Sequence, residues 1–196
     1  NKPEQGALLI TSTNPNFRSG SAFYNQKELK EGVLFITDHG PNLGTAGFFI
    51  NKPTGYCAGE MFNKRELDPF FNNMVFLGGK HGPEGELVLM HSYRNLPKSQ
   101  EVFPGICIGG DILEAAEMVR SGAASAKDFR LFLQHTAWGP QQLEKEIGEG
   151  SWYLAACSKE VLGSMPIIPG ANVWRETMRL MGGRHGLVAR EVYNEL

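Results

Sequence analysis

The chain has 196 residues, 41% of them hydrophobic and 20% charged, and carries a formal net charge of −2. That length buries a sizeable core, and the composition excludes intrinsic disorder. The slightly acidic balance, with no basic run, leaves no electrostatic footprint for nucleic acid, so no such partner is expected.

Taken in chain order, Ala7 to Ile10 is a first strand, and Thr11 to Gly20 is turn chemistry of Thr, Ser, Asn and Pro. Ala22 to Lys30 predicts a short polar helix or a surface excursion. Val33 to Thr37 and Thr45 to Ile50 are β-rich runs joined through Asp38-His39-Gly40-Pro41-Asn42-Leu43-Gly44, a hairpin connection. Val75 to Leu77 and Glu86 to His91 form a similar unit around Gly78-Gly79-Lys80-His81-Gly82-Pro83. The shared His-Gly-Pro reads as convergent turn chemistry rather than a repeat.

Asp111, with Glu114 three positions on, predicts the N-cap of a helix. Its apolar stripe is Leu113, Ala116, Met118 and Val119, and Ser121-Gly122 ends it. Asp128 to His135 alternates as a strand does, with Phe129, Leu131 and Leu133 on one side. Pro140 is placed at the first position of a helix that carries Leu143 and Ile147 on one face and closes at Gly148. Trp152 to Ala156 is a further strand. Asn172 caps a last helix, ended by Gly182-Gly183, whose Trp174, Met178, Leu180 and Met181 are expected to bury it against the sheet. Strands and hairpins first, then strands mixed with helices, without βαβ repetition, predict one compact α+β domain over 1–196.

No apolar stretch reaches the ~20 residues that cross a bilayer, which leaves peripheral membrane association as an option. Cys57, Cys107 and Cys157 are odd in number and far apart, so neither a disulfide framework nor a metal knuckle is expected, and a reducing compartment fits. Cys57 sits at a predicted helix start, whereas Cys107 and Cys157 lie in apolar strand-like runs. The histidines, His39, His81, His91, His135 and His185, show no ligand spacing, so no metal and no cofactor is expected. No nucleophile elbow appears, and no catalytic residue is assigned.

Three clusters are candidates for a binding patch. Trp138-Gly139-Pro140-Gln141-Gln142, with Glu146, joins a strand end to a helix start, where free N–H groups can hold an anion or a carbonyl. Asn51, Pro53 and Thr54 end a strand, and Gly78, Gly79 and His81 form a tip that allows positive φ or close approach. Each has a structural reading as well: a core tryptophan, a helix start, and turns that need glycine and asparagine.

At these clusters the chain resembles the YqgE/AlgH family. The resemblance covers nearly the whole sequence: Gly6 to Ile10, Phe17-Arg18-Ser19, Asp38-His39, Gly47 through Thr54, and Val75 to Gly79. It continues through Trp138-Gly139, Gln142-Leu143, Glu146, Trp152, Trp174 and Leu180 to Gly183. Pro104 to Cys107, Glu114 to Ala116, Asp128 to Arg130 and Trp152 to Ser158 are most similar to the plastid branch of plants and algae. That similarity implies a plastid location, in the stroma or peripheral to thylakoids, and agrees with a start at Asn1 without methionine.

The resemblance also implies a small closed, barrel-like mixed sheet built from hairpins and surrounded by helices. It brings no established activity, only a proposed role as a transcriptional regulator. Two departures stand out. Gln134-His135-Thr136-Ala137-Trp138 replaces a usual Gly-Tyr-x-Gly-Trp, and Lys80 replaces the proline that usually follows the double glycine. Ser21 to Gly32 (21–32) reads as a surface insertion, and a partner surface is expected to include this arm or the His81 tip rather than the Trp174 helix. The expected function is therefore a non-catalytic binding, scaffold or regulatory protein, such as a subunit or assembly factor of a larger plastid complex. The alternative is a small-molecule enzyme or sensor with a pocket near Asn51, Gly78, Trp138 and Gln142.

Overall fold

The computed structural model describes residues 2–13, 30–40, 42–157 and 172–195. The chain divides into two compact units, Asn1–Thr45 with Trp138–Leu196, and Ala46–Ala137. Strands β1 (Leu8–Thr11), β2 (Val33–Gly40), β3 (Gly44–Phe49), β10 (Thr136–Trp138) and β11 (Trp152–Ala155) form a five-stranded sheet of order β10-β3-β2-β1-β11. A second sheet has six strands in the order β4-β5-β9-β6-β8-β7. They are β4 (Pro53–Cys57), β5 (Met74–Leu77), β6 (Leu87–His91), β7 (Ser99–Phe103), β8 (Ile106–Gly109) and β9 (Arg130–Leu133). The described helices are α1 (Ala58–Met61), α2 (Ile112–Arg120), α3 (Gln142–Gly148), α4 (Val173–Met181) and α5 (Gly183–Val192), besides 3₁₀ turns over Arg65–Phe70 and Ala126–Asp128.

In the first unit β1 lies between antiparallel neighbours, with Leu8 opposite both Phe35 and Ala155. Leu8, Leu9 and Ile10 are all buried, so this strand reads as an unbroken apolar run instead of an alternation. Helix α4 begins at Asn172, whose side chain accepts from Arg175 N–H at 2.9 Å. Its Trp174 is fully buried and donates Nε1–H to the Thr11 carbonyl at 2.9 Å. The Tyr193 hydroxyl donates to Glu31 at 2.5 Å, and the Arg175 guanidinium lies 5.2 Å from the Tyr193 ring centre while pairing with Glu195. Burial and the Glu31 carboxylate push the Tyr193 phenol up to about 12.

In the second unit β5 and β9 run parallel, and the other pairings are antiparallel. Its core joins Phe70, Val75, Leu89, Leu96, Ala115, Ala116, Phe129 and Leu131. Asp111 caps α2 by accepting from Leu113 N–H at 3.1 Å and Glu114 N–H at 3.4 Å, which satisfies donors the helix start leaves orphaned.

Several expectations change. Among the described residues the strands form two open sheets and no closed barrel. Val75–Leu77 and Glu86–His91 do not form a hairpin, because β9 lies between β5 and β6. As a central strand, β9 buries Leu131 and Phe132 on opposite faces, which its alternation alone does not reveal. Leu113 is 55% exposed and Leu180 75% exposed, so neither belongs to its helix's buried stripe. Pro140 stands outside α3, whose N-cap is Gln141 at φ 61. Gly182 ends α4, as expected, but α4 is not the last helix: at φ 66 and 50, Gly182 and Gly183 turn the chain into α5. Cys107 is buried, as expected, while Cys157 lies beyond β11 and is only half-buried; no disulfide joins any of the three. Phe17 to Ser19, the Ala22–Lys30 segment up to Glu28 and Leu29, and Ser158 lie outside the described residues.

Candidate functional site

The Trp138 cluster assembles within the first unit. Gly139 N–H donates to Gln142 Oε1 at 3.1 Å, and Gln142 Nε2 donates onward to Glu146 Oε1 at 3.3 Å. The other carboxylate oxygen of Glu146 accepts from the indole N–H groups of both Trp138, at 2.9 Å, and Trp152, at 2.8 Å. The two indoles meet edge to face, 5.8 Å between centres. Glu146 is buried together with both tryptophans, so the carboxylate is the hub that satisfies two buried donors and fastens α3 to β10 and β11. Gly44, at φ +93, is required beside it: a Cβ there would sit 2.2 Å from the Trp138 carbonyl oxygen. Of this cluster Gly139, Pro140, Gln141 and Gln142 are exposed, while Trp138 and Glu146 are buried.

Asn51, Pro53, Thr54, Gly78, Gly79 and His81 all belong to the second unit. Pro53 opens the edge strand β4, where a missing N–H costs nothing, and Thr54 Oγ1 donates to the Val75 carbonyl at 2.9 Å. The double glycine is explained by backbone crowding, not by positive φ. A Cβ on Gly78 would lie 2.4 Å from the Gln134 carbonyl oxygen, and one on Gly79 2.1 Å from the His135 carbonyl. His81 and His135 exchange backbone bonds at 2.8 and 2.9 Å directly after this approach. Gly79→Ala is accordingly expected to cost roughly 3 kcal/mol, since a fixed backbone must move. Gly85→Ala, with open space around its Cβ and only a φ of +75 against it, should cost roughly 1–2 kcal/mol. Urea midpoints of the two variants check the ranking.

The histidines divide by surroundings. His39, in the first unit, bonds Thr45 Oγ1 through Nδ1 at 2.8 Å and reaches Glu144 at 3.9 Å through Nε2. His81 Nδ1 accepts from Ala137 N–H at 3.3 Å. His91 is buried, accepts from Tyr93 N–H at 3.1 Å, and reaches the Gly109 carbonyl at 3.2 Å, which fixes the neutral Nε2–H form. Burial lowers the proton affinity of His91, and burial followed by the neighbouring His81 lowers that of His135. Below roughly 6.5 the unfolded chain therefore binds protons that the folded chain refuses, so stability falls as pH drops. Urea midpoints between pH 7.5 and 5 should decline, and His135→Asn should flatten that decline. Among the described residues no group of three His, Cys, Asp or Glu side chains could hold a metal, and no helix is long and apolar enough to cross a membrane.

A surface that the sequence reading missed lies on the two C-terminal helices. Leu180 is 75% and Leu187 52% exposed, and Val192 is also exposed. Beside α4 a cleft of 290 Å³ is lined by Leu8, Ala155, Ala156, Leu180, Met181 and His185. His185 meets Tyr153 of β11 edge to face at 4.8 Å. The signal in the sequence was the spacing of Arg184, Leu187 and Arg190, which share the outer side of one short helix once Gly182-Gly183 is read as a turn between helices.

Fold and geometry thus define an α+β protein with two open sheets, a carboxylate–tryptophan lock and an exposed apolar helical face. The model of the AlgH-like family, DUF179, matches residues 21–186, and the chain belongs to that family. A UPF0301 protein of Pelodictyon phaeoclathratiforme is 30% identical over 190 residues, covering 96% of this chain and 92% of its own length. One from Chlamydia felis is 26% identical, with 93% and 88% covered. In fold, the chain is similar to protein DIP2367 of Corynebacterium diphtheriae, with a TM-score of 0.69 and 18% identity over 96% of this chain and 93% of that one. It is also similar to the AlgH protein of Pseudomonas aeruginosa, with a TM-score of 0.66 and 14% identity, covering 96% and 95%.

Proposed function

We propose that this protein is a non-catalytic binding or scaffold protein that works by docking another protein. The observation that supports this reading is the contrast between its two kinds of surface. The polar groups that a site would need, Glu146, Gln142 and the indole N–H groups, hydrogen-bond one another. Leu180 of α4 lines a cleft together with Leu8, Met181 and His185, and Leu187 stands exposed on the outer side of α5, which is how interfaces present anchors. Gentle extraction of the tagged full chain from its source cells should recover it at fixed stoichiometry with a protein partner. Recovery as a bare monomer, together with a thermal shift from a small metabolite, would instead favour a sensor or enzyme.

The compartment we assign is a plastid, on the similarity of Pro104 to Cys107 and Trp152 to Ser158 to the plastid branch; the relatives compared above are bacterial. Fractionation of the source cells should place the chain with stroma or thylakoids. A purely cytosolic signal would remove this assignment.

A further inference from the structure

We propose that the tip over residues 80–86, between β5 and β6, is a latch that opens when His81 gains a proton beside His135. Every contact involved lies within the second unit, so the latch stands or falls separately from the docking reading of α4 and α5.

The latch closes on the stretch that joins β9 to β10. His81 N–H donates to the His135 carbonyl at 2.8 Å, and His135 N–H donates back to the His81 carbonyl at 2.9 Å. The His81 ring adds a bond of its own, its Nδ1 accepting from Ala137 N–H at 3.3 Å. Gln134 Nε2 donates to the Gly82 carbonyl at 3.5 Å, the long end of the range. The His135 ring lies against Gly82, where a Cβ would come 3.2 Å from its Nδ1. Residues 80–86 are all exposed, and exposed backbone of this kind opens at low free-energy cost. The opening is bounded on both sides: Gly78 N–H donates to the Leu133 carbonyl at 2.8 Å, and Leu87 pairs with Leu133.

The Ala137 bond is where a proton acts. An Nδ1 that accepts carries no hydrogen, so the neutral ring holds its proton on Nε2, whereas the imidazolium carries one on each nitrogen. In the imidazolium the Nδ1–H faces the Ala137 N–H, donor against donor, and the ring has to turn away. His135 strengthens the effect, because the two ring centres are 6.2 Å apart and two cations at that spacing repel. Burial, followed by the neighbouring His81, already lowers the proton affinity of His135, and Glu86 acts the other way. Phe48 of β3 presents an apolar ring to His135 at 6.2 Å. The tip itself carries Lys80, next to His81 in the chain, and Glu84. The closed tip therefore belongs to neutral and higher pH, and the open tip to the acid side of the range in which histidines titrate.

Amide exchange of the full chain, read by NMR as protection factors so that the intrinsic pH dependence cancels, tests this. From pH 7.5 to 5.5 the protection of the His81, His135 and Ala137 amides should fall roughly fivefold or more. His81→Asn offers Ala137 N–H an oxygen that does not titrate, and should hold that fall below about twofold. His81→Ala offers none, and should leave the Ala137 amide weakly protected at both pH values. His81 is exposed, so unchanged circular dichroism and melting at pH 7.5 should confirm that both variants fold. Leu131 and Phe132, central in the sheet, report opening of the whole unit and should change alike in the wild type and in His81→Asn. At pH 8 the imidazole nitrogen shifts of His81 should show the Nε2–H form. Flat protection in the wild type, an equally steep fall in His81→Asn, or a predominant Nδ1–H form overturns the latch. So does a fall at the tip that merely keeps step with Leu131 and Phe132, since that is unfolding of the unit.

Discussion

Replacing Trp174 by alanine should lower the stability of the protein by about 3–5 kcal/mol, the usual cost of emptying a fully buried aromatic site. The indole is wholly inaccessible and carries the hydrogen bond from α4 to the end of β1, so its loss leaves a void and also an unpaired Thr11 carbonyl. Trp174→Phe keeps most of the packing and gives up the N–H, and should cost roughly 1–2 kcal/mol. Urea unfolding separates the two. Equal costs would mean that the hydrogen bond, not the ring volume, dominates. No loss in Trp174→Ala would mean that α4 is peripheral to the first unit.

Glu146→Ala should cost about 3–5 kcal/mol as well, for a different reason. Little apolar area disappears, but two buried indole N–H groups lose the Glu146 oxygen that accepts from both, and each orphaned donor costs about 1–3 kcal/mol. Glu146→Gln retains one oxygen able to accept from both indoles, so it should cost less than half as much. The contrast is diagnostic: a structural lock is rescued by the amide, whereas a role that depends on the negative charge is not. Tryptophan emission should shift to longer wavelength in Glu146→Ala as water enters.

Much of this architecture is legible in the residues themselves. Asp111 and Asn172 both cap helices, because a short acceptor side chain before an amphipathic run has few better uses. The apolar run at Ala7 to Ile10 is a central strand, and Cys57 stands at a helix start. Pairing was less legible. The place of β9 between β5 and β6 depends on a parallel contact more than fifty residues distant, which local patterns do not encode. The barrel implied by resemblance gives way to two open sheets for the same reason: strand order is a long-range property.

The candidate patch was partly legible. Trp138, Gly139, Gln142 and Glu146 do meet, but Trp152 completes the arrangement, and nothing in its own neighbourhood marks it as a carboxylate partner. Gly78 and Gly79 drew attention as turn residues, whereas their requirement comes from the backbone of residues 134–136 crossing them. The α4–α5 face was obscured because Gly182-Gly183 is as good a helix stop as it is a turn between helices.

The most direct measurement is hydrogen–deuterium exchange of the full chain, free and within the complex recovered by gentle extraction. The account predicts slowed exchange in the complex over residues 177–192 and at Ala155 and Ala156, with little change at the Trp138–Glu146 lock. Protection confined to residues 46–137, with 177–192 exchanging as in the free chain, would contradict it.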